Sequence, residues 1–297
     1  MYPEYLFEYP NMNASFPFYM KRKLQWKTPS HRHDFVELTL VLNGQGTETI
    51  NGAMHDMIPG IMVLLLPYQV HEIVSHPNDP LDLYICNFPL DVILELGELD
   101  PSLHEVLLGN ATDARNTFVH FEGRLLDEMQ QIFTMIWNEY GKPVPFATVM
   151  LKANLQRVLT QFARSSLQAI TDISTSVSSQ ISPSQVRSVW PIIRYIHEHY
   201  LEPLNLTDLS ERFGFHPSSL SELFARQYGI HFIDLLHELR VRHACSLLHA
   251  TEMQIADIAE ESGFGSYSSF ARIFRKTKGV SPKAYRISHH RTGRRKK

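Results

Sequence analysis

Cysteine, long hydrophobic runs and an excess of charge of either sign are all scarce in this chain of 297 residues. The two cysteines, Cys86 and Cys245, lie far apart and form no CxxC or His/Cys cluster. That excludes a disulfide framework and leaves reduced, inert core thiols, as expected in a cytosol. The longest aliphatic run, Ile61 to Leu66, falls far short of the ~20 residues that a membrane-spanning helix needs. The first residues also lack a basic stretch followed by an apolar core, so no secretory signal is read. The expectation is a soluble, cytoplasmic protein with no membrane partner. The net charge is −3 at pH 7, with residues 1–170 carrying −8 and residues 171–297 carrying +5. Only the second half suits a polyanion.

What that half contains is a helix, a turn and a helix between Glu252 and Arg286. Ile255, Ile258 and Ala259 recur at helical spacing, Gly263 stops that helix, and Phe270, Ile273 and Phe274 mark one side of a second. Arg272 and Arg275 point away from that apolar side, and Lys276 and Lys278 continue the basic face. A short helix packed on one face and basic on the other fits a DNA major groove; by spacing alone, a solvated helix face reads the same way.

The pattern occurs twice. Leu206-Thr-Asp-Leu-Ser-Glu-Arg-Phe-Gly214-Phe215 aligns with Ile255-Ala-Asp-Ile-Ala-Glu-Glu-Ser-Gly263-Phe264 at an offset of 49. After the turn the offset becomes 50, pairing Leu220 with Phe270, Phe224 with Phe274 and Gly229 with Gly279. Two helix-turn-helix units in tandem follow. In the first, Asn205 or Thr207 can cap the leading helix, and Pro217 suits the first turn of the next. There Leu220, Leu223 and Phe224 face inward, leaving Ser218, Ser219, Ser221, Glu222 and Arg226 outward. An amphipathic helix from Phe232 to about His249 joins the units.

The run from about Val189 to Arg286 resembles the DNA-binding domain of the AraC/XylS family of bacterial transcription regulators. The resemblance rests on Asp257-Ile-Ala, Gly263-Phe264, Ser269-Phe270, Phe274-Arg-Lys and Gly279-Val-Ser-Pro282-Lys-Ala-Tyr285-Arg286. It implies a joining helix that sets the two reading helices about one DNA turn apart, near ~34 Å. By position it implies base-reading residues at Ser218, Ser221 and Glu222 in unit one, and at Ser268, Ser269 and Arg272 in unit two. Arg272 has the chemistry to bind guanine O6 and N7 together, and Glu222 can accept from a cytosine amino group. Arg226 faces the groove, while Arg275 and Lys276 suit phosphates. The competing role for Arg272 is a surface salt bridge to a carboxylate such as Glu260.

Residues 1 to about 120 read as short strands separated by turn signals: Val36–Leu42 before Asn43-Gly44, Glu48–Ile50 before Asn51-Gly52, Ile61–Leu66 before Pro67, and Leu83–Phe88 before Pro89. Such spacing indicates a sandwich or barrel. Alternation is blurred in Phe35–Leu42, as for a strand covered on both faces. His31, His33 and Glu37, spaced by even numbers, share one strand face. With Gly44 and the later His71 they resemble the cupin barrel motifs, in which such residues converge and often hold a divalent metal. The second motif departs around Pro67-Tyr68-Gln69-Val70-His71, and Ser75 stands where that motif usually has Asn. Three roles stay open for His31, His33, Glu37 and His71: hydrogen bonds to an organic effector, metal ligation, or satisfied structural side chains. Trp26, His33, Tyr68 and Tyr84 could meet a carbohydrate, the first expectation for the effector.

From Phe121 to Tyr140 apolar residues return to helical spacing at Leu125, Met129, Ile132, Phe133 and Ile136. A second helix follows with Met150, Leu151, Leu155, Val158, Leu159 and Phe162. The resemblance implies that this pair mediates a homodimer. Residues 171–186 hold six Ser and two Thr with almost no charge, a flexible linker. The expected class is α+β and multidomain: a cupin-like effector-binding β-barrel (1–120), a helical dimerisation segment (121–170), the linker (171–186), an all-α AraC-type DNA-binding domain with two helix-turn-helix units (187–288), and a basic tail (289–297). The tail is expected to be disordered and to add sequence-blind phosphate contacts. The implied function is sequence-specific transcription regulation, more often activation in that family, on promoter DNA with RNA polymerase as partner and a small-molecule effector in the barrel. No catalytic residue and no cofactor is assigned. The alternative is a metal-dependent cupin enzyme fused to a DNA-binding domain.

Overall fold

Strand parity decides what the N-terminal half buries and what it leaves polar. The computed structural model describes residues 4–6, 9–12, 16–109, 117–141, 144–176, 189–228 and 230–293. The chain divides into two compact units, Met1–Ser188 and Val189–Lys297. The strands of the first are β1 (Glu4–Leu6), β2 (Tyr19–Gln25), β3 (Lys27–His33), β4 (Val36–Asn43), β5 (Gly46–Ile50), β6 (Ala53–Met57), β7 (Ile61–Leu65), β8 (His71–Ser75), β9 (Leu81–Phe88) and β10 (Phe118–His120). One sheet has the order β1-β3-β8-β5-β6 and the other β10-β7-β4-β9-β2. Neighbours are antiparallel except β1 and β3. The Asn51-Gly52 turn closes the β5–β6 hairpin, with φ of +49° and +86° as a two-residue type I′ turn requires.

Alternate residues of both sheets, among them Val41, Ile50, Met57, Val63, Ile73 and Leu83, meet in one aliphatic core. The opposite face of the second sheet is covered too. Leu38, Leu40, Met62 and Cys86 are fully buried, and Tyr84 packs its ring near Phe133 and Trp137. A strand buried on both faces has no use for polar alternation, which accounts for the unbroken burial of Val36–Val41. The cover includes α3 (Gly123–Tyr140), which buries Met129, Ile132, Phe133 and Ile136 and packs on α4 (Ala147–Ser176). Met150, expected on the apolar stripe of α4, is half-exposed instead.

Two further expectations about this unit are corrected. The segment read as wholly β to residue 120 also holds α1 (Asp91–Leu99) and α2 (Pro101–Gly109). Leu90, Ile93 and Leu96 recur at i, i+3 and i+6 and are buried. Asp100 Oδ1 then accepts from the Ser102 N–H at 2.9 Å while Pro101 begins the next helix. The first six residues of the expected linker, 171–176, continue α4, because extending a formed helix over Ser and Thr costs far less than starting one. Residues 177–186 of the linker lie outside the described residues. No helix of the described residues is long and apolar enough to cross a membrane.

The second unit is helical: α5 (Trp190–His199), α6 (Leu206–Phe213), α7 (Pro217–Leu223) continued by a π-helical turn over Phe224–Tyr228, α8 (Phe232–Ala250), α9 (Ile255–Glu261), α10 (Tyr267–Lys278) and α11 (Pro282–Gly293). Val241, Ala244, Cys245 and Leu248 of α8 pack with Ile258, Phe270 and Phe274 in one core. Helix α11 carries the expected tail as far as Gly293, and residues 294–297 lie outside the described residues.

The repeat is exact in its turns. The N–H of Phe215 donates to Ser210 O at 2.8 Å and that of Phe264 to Ala259 O at 3.0 Å, with Gly214 and Gly263 left-handed at φ +68° and +78°. A Cβ on Gly263 would stand 2.8 Å from Leu201 O and 3.0 Å from Arg240 Nε, whereas one on Gly214 would meet nothing within 4 Å. Gly214→Ala should therefore cost only the left-handed penalty, about 1 kcal/mol, and Gly263→Ala about 3 kcal/mol once crowding is added. Urea unfolding of the full chain, followed for this unit, checks that order.

Candidate functional site

At the polar end of the barrel, alternation places side chains of three adjacent strands on the inner face. His31 and His33 stand two residues apart on β3, and His31 is directly opposite His71 on β8. The His31 and His71 ring centroids lie 4.2 Å apart and those of His33 and His71 5.3 Å. One ring nitrogen of each of these three buried histidines lies within 4.8 Å of the others'. Each Nδ1 has its own acceptor: Pro29 O at 2.9 Å for His31, Phe35 O at 2.8 Å for His33, and Glu48 Oε1 at 2.9 Å for His71.

The electrostatics follow from burial and from Glu48. Burial, reinforced by the charge on His71, holds the His31 pKa down at about 4. Burial likewise keeps His33 well below its ordinary value. Burial also disfavours protonated His71, but the hydrogen bond to Glu48 and the fields of Glu37 and Glu48 prevail and raise it. Glu48 would be pushed up by burial; its contacts with His55 and His71 outweigh that and leave it low. His55 Nε2 approaches Glu48 Oε2 at 3.3 Å without hydrogen-bond geometry. Glu37 is buried on the inner face of β4 and raised by that burial.

The residues expected to line the site are only partly together. His31, His33 and His71 converge, Glu37 faces inward without joining their 4.8 Å group, and Tyr68 is buried with its N–H on His33 O at 2.7 Å. Trp26 is 55% exposed. Tyr84 stands on the helix-covered face of β9, opposite in parity to the core residues Leu83 and Ile85, so it does not line the barrel interior. Sequence reasoning missed Glu48 and His55. Glu48 was legible by parity alone, since it shares a face with Ile50, which belongs to the barrel core. Gln69, also missed, accepts from the Leu66 N–H at 2.7 Å, and its buried Nε2 has no partner among the described residues.

In the helical unit, Asn205 Oδ1 caps α6 by accepting from the Asp208 N–H at 2.9 Å. Pro217 opens α7, whose Ser218 and Glu222 are exposed and Ser221 half-exposed; Arg226, in the following π turn, is exposed. Ser218 Oγ lies 2.8 Å from His216 Nδ1. In α10 the Ser266 hydroxyl caps by accepting from the Ser269 N–H at 3.3 Å and lies 3.2 Å from Ser268 Oγ. Phe270, Ile273 and Phe274 are buried, while Ser268, Arg272, Arg275 and Lys276 are exposed. Arg272 makes no ion pair among the described residues, so the bridge to Glu260 is not formed. Ser269 is half-buried, its N–H held by the cap.

Comparison with known proteins agrees with this division. Residues 15–159 match the AraC-like ligand binding domain, and residues 209–288 match a helix-turn-helix domain. An uncharacterised HTH-type transcriptional regulator of Staphylococcus aureus is 42% identical over 92 residues, 31% of this chain and 12% of the relative. The chain thus spans a small part of the length of such relatives. The virulence regulon transcriptional activator VirF of Yersinia enterocolitica is 25% identical over 270 residues, 90% of this chain and 95% of VirF. Among solved structures, the C-terminal domain of AraT, a response regulator from Geobacillus stearothermophilus, is 35% identical, covering 37% of this chain and 88% of that one at a TM-score of 0.33. A ligand-binding domain followed by a helix-turn-helix domain is the organisation of the AraC-type transcription regulators, and this chain belongs to that family.

Proposed function

We propose that the chain is a sequence-specific DNA-binding regulator of transcription whose promoter occupancy is set by a small molecule held in the N-terminal barrel. The observation that carries this reading is the duplicated motif: α7 and α10 each bury one face and turn polar side chains outward, Ser218, Ser221 and Glu222 on the first and Ser268, Arg272 and Arg275 on the second. Ser218, Ser221 and Glu222, and Ser268, Ser269 and Arg272, are assigned to base edges; Arg226, Arg275 and Lys276 are assigned to phosphates and the groove wall. The chain acts in the cytoplasm, as an activator contacting RNA polymerase. Effector binding changes transcription only in so far as it favours one arrangement of the protein over another. The matched domains being regulatory, the barrel is assigned to binding and not to catalysis.

The carbohydrate expectation loses support, because Trp26 is largely exposed and Tyr84 faces the helices. Tyr68 remains of the aromatic set, beside buried histidines and carboxylates. A homodimer through α3 and α4 is supported by apolar residues left exposed on α4, Val149, Met150 and Leu167. Sedimentation should give a dimer at micromolar concentration; a monomer with or without effector would remove that assignment.

Selection from a random DNA pool at physiological salt, with the full chain, should recover two half-motifs about one helical turn apart. No enriched sequence would overturn the reading. Arg272→Ala should lose discrimination at one base pair by about 1–3 kcal/mol. Arg275→Ala should instead weaken all sites alike and lower the salt slope by about 1.

A further inference from the structure

The three histidines at the polar end of the barrel pose a chemical problem that packing alone does not answer. Pro29 O and Phe35 O can only accept, and so can the ionised Glu48 carboxylate, so each Nδ1 must carry the hydrogen it donates. A neutral imidazole that donates from Nδ1 presents a bare lone pair on Nε2. One ring nitrogen of each histidine lies within 4.8 Å of the others', and with every Nδ1 engaged elsewhere Nε2 is the nitrogen left for that volume. Nε2 of His33 and Nε2 of His71 are buried and have no hydrogen-bond partner among the described residues. Buried ring nitrogens without a partner lack the solvation they would have in water.

We propose that the barrel binds a divalent transition-metal ion of the zinc, cobalt or nickel class through Nε2 of His31, His33 and His71. Imidazole nitrogen suits these ions, and three histidines leave further coordination positions for an outside donor. Bringing three nitrogens to about 2.0–2.1 Å from one ion asks each ring to move by less than about 1 Å from a 4.8 Å triangle. All three stand on paired strands, not loops, and each Nδ1 is held in the manner that fixes ligand tautomer and ring direction in metal sites. Glu48 is a positioning residue: it holds His71 and adds negative charge close to the ion. Glu37, which faces inward from the other sheet, stands outside the 4.8 Å group and is not a ligand. The set is thus three histidines with a carboxylate behind one of them, and not three histidines with Glu37. This assignment concerns binding by the barrel and stands whether or not the barrel controls DNA occupancy.

The test is titration of untagged, chelator-stripped full-length protein with Co(II), read by its visible absorption, with X-ray absorption on the wild-type complex. One equivalent should bind, with a first shell containing three imidazoles. His33→Ala and His71→Ala should each abolish stoichiometric uptake. Glu48→Gln should weaken it about 10–100-fold while keeping the shape of the spectrum. Glu37→Gln should leave the imidazole count at three. No stoichiometric uptake overturns the proposal, as does uptake unchanged in His33→Ala and His71→Ala, which would place the ion on other histidines of the 16 in the chain. The X-ray absorption measurement keeps the test decisive if a histidine variant fails to fold: a shell of oxygens without imidazole overturns the assignment by itself.

Discussion

The polar end of the barrel depends on one buried hydrogen bond, from His71 Nδ1 to Glu48 Oε1. A carboxylate there, with 2% of its side chain exposed, is tolerable only because His71 and His55 approach it from two strands. The same bond orients His71 toward His31 and His33. Removing one member of a buried pair leaves the other uncompensated, at a cost of about 3–5 kcal/mol. The register of β5 on β8, which pairs Ile50 with His71 and Glu48 with Ile73, sets these two side chains diagonally across the ladder. Fold and site therefore share a constraint: a slip of one residue in that pairing would disperse the cluster and turn Ile50 and Ile73 outward.

Where a short period governs, the sequence was a good guide. Even spacing put His31 and His33 on one face of β3, although Glu37, read onto the same strand face, falls on β4 in the other sheet, and the glycine pair at an offset of 49 located both turns. Asn51-Gly52 marked its hairpin. The misreadings have physical causes. Tyr84 reads as a pocket residue because an aromatic on a barrel strand fits either face, and only the docking of α3 decides which face is inside. Glu48 was overlooked because no motif names it; its importance arises from pairing with His71, 23 residues away, which local spacing does not encode. The extension of α4 through 176 was hidden by a composition that favours loops, while helix propagation is settled by the turns already formed.

The C-terminal unit shows duplication without identity. Arg240, nearly buried on α8, donates to Tyr200 O and Glu202 O at 2.7 Å each, beside the turn at Gly263. The first unit's glycine has open space around it. One turn is thus wedged into the unit's interior and the other is exposed to solvent, although both carry the same backbone conformation and the same hydrogen bond to the helix before it.

The second helices of the two units, α7 and α10, also begin by different means. Helix α7 starts at Pro217 with no side-chain cap, whereas α10 starts from the Ser266 hydroxyl hydrogen-bonded to the Ser269 N–H. Proline acts by restricting the unfolded chain, an entropic contribution; a cap acts through a bond whose enthalpy must be made. Losing Pro217 would therefore act on α7 mainly by freeing the unfolded chain, whereas losing the Ser266 hydroxyl would leave a folded α10 with one of its first N–H groups unmet.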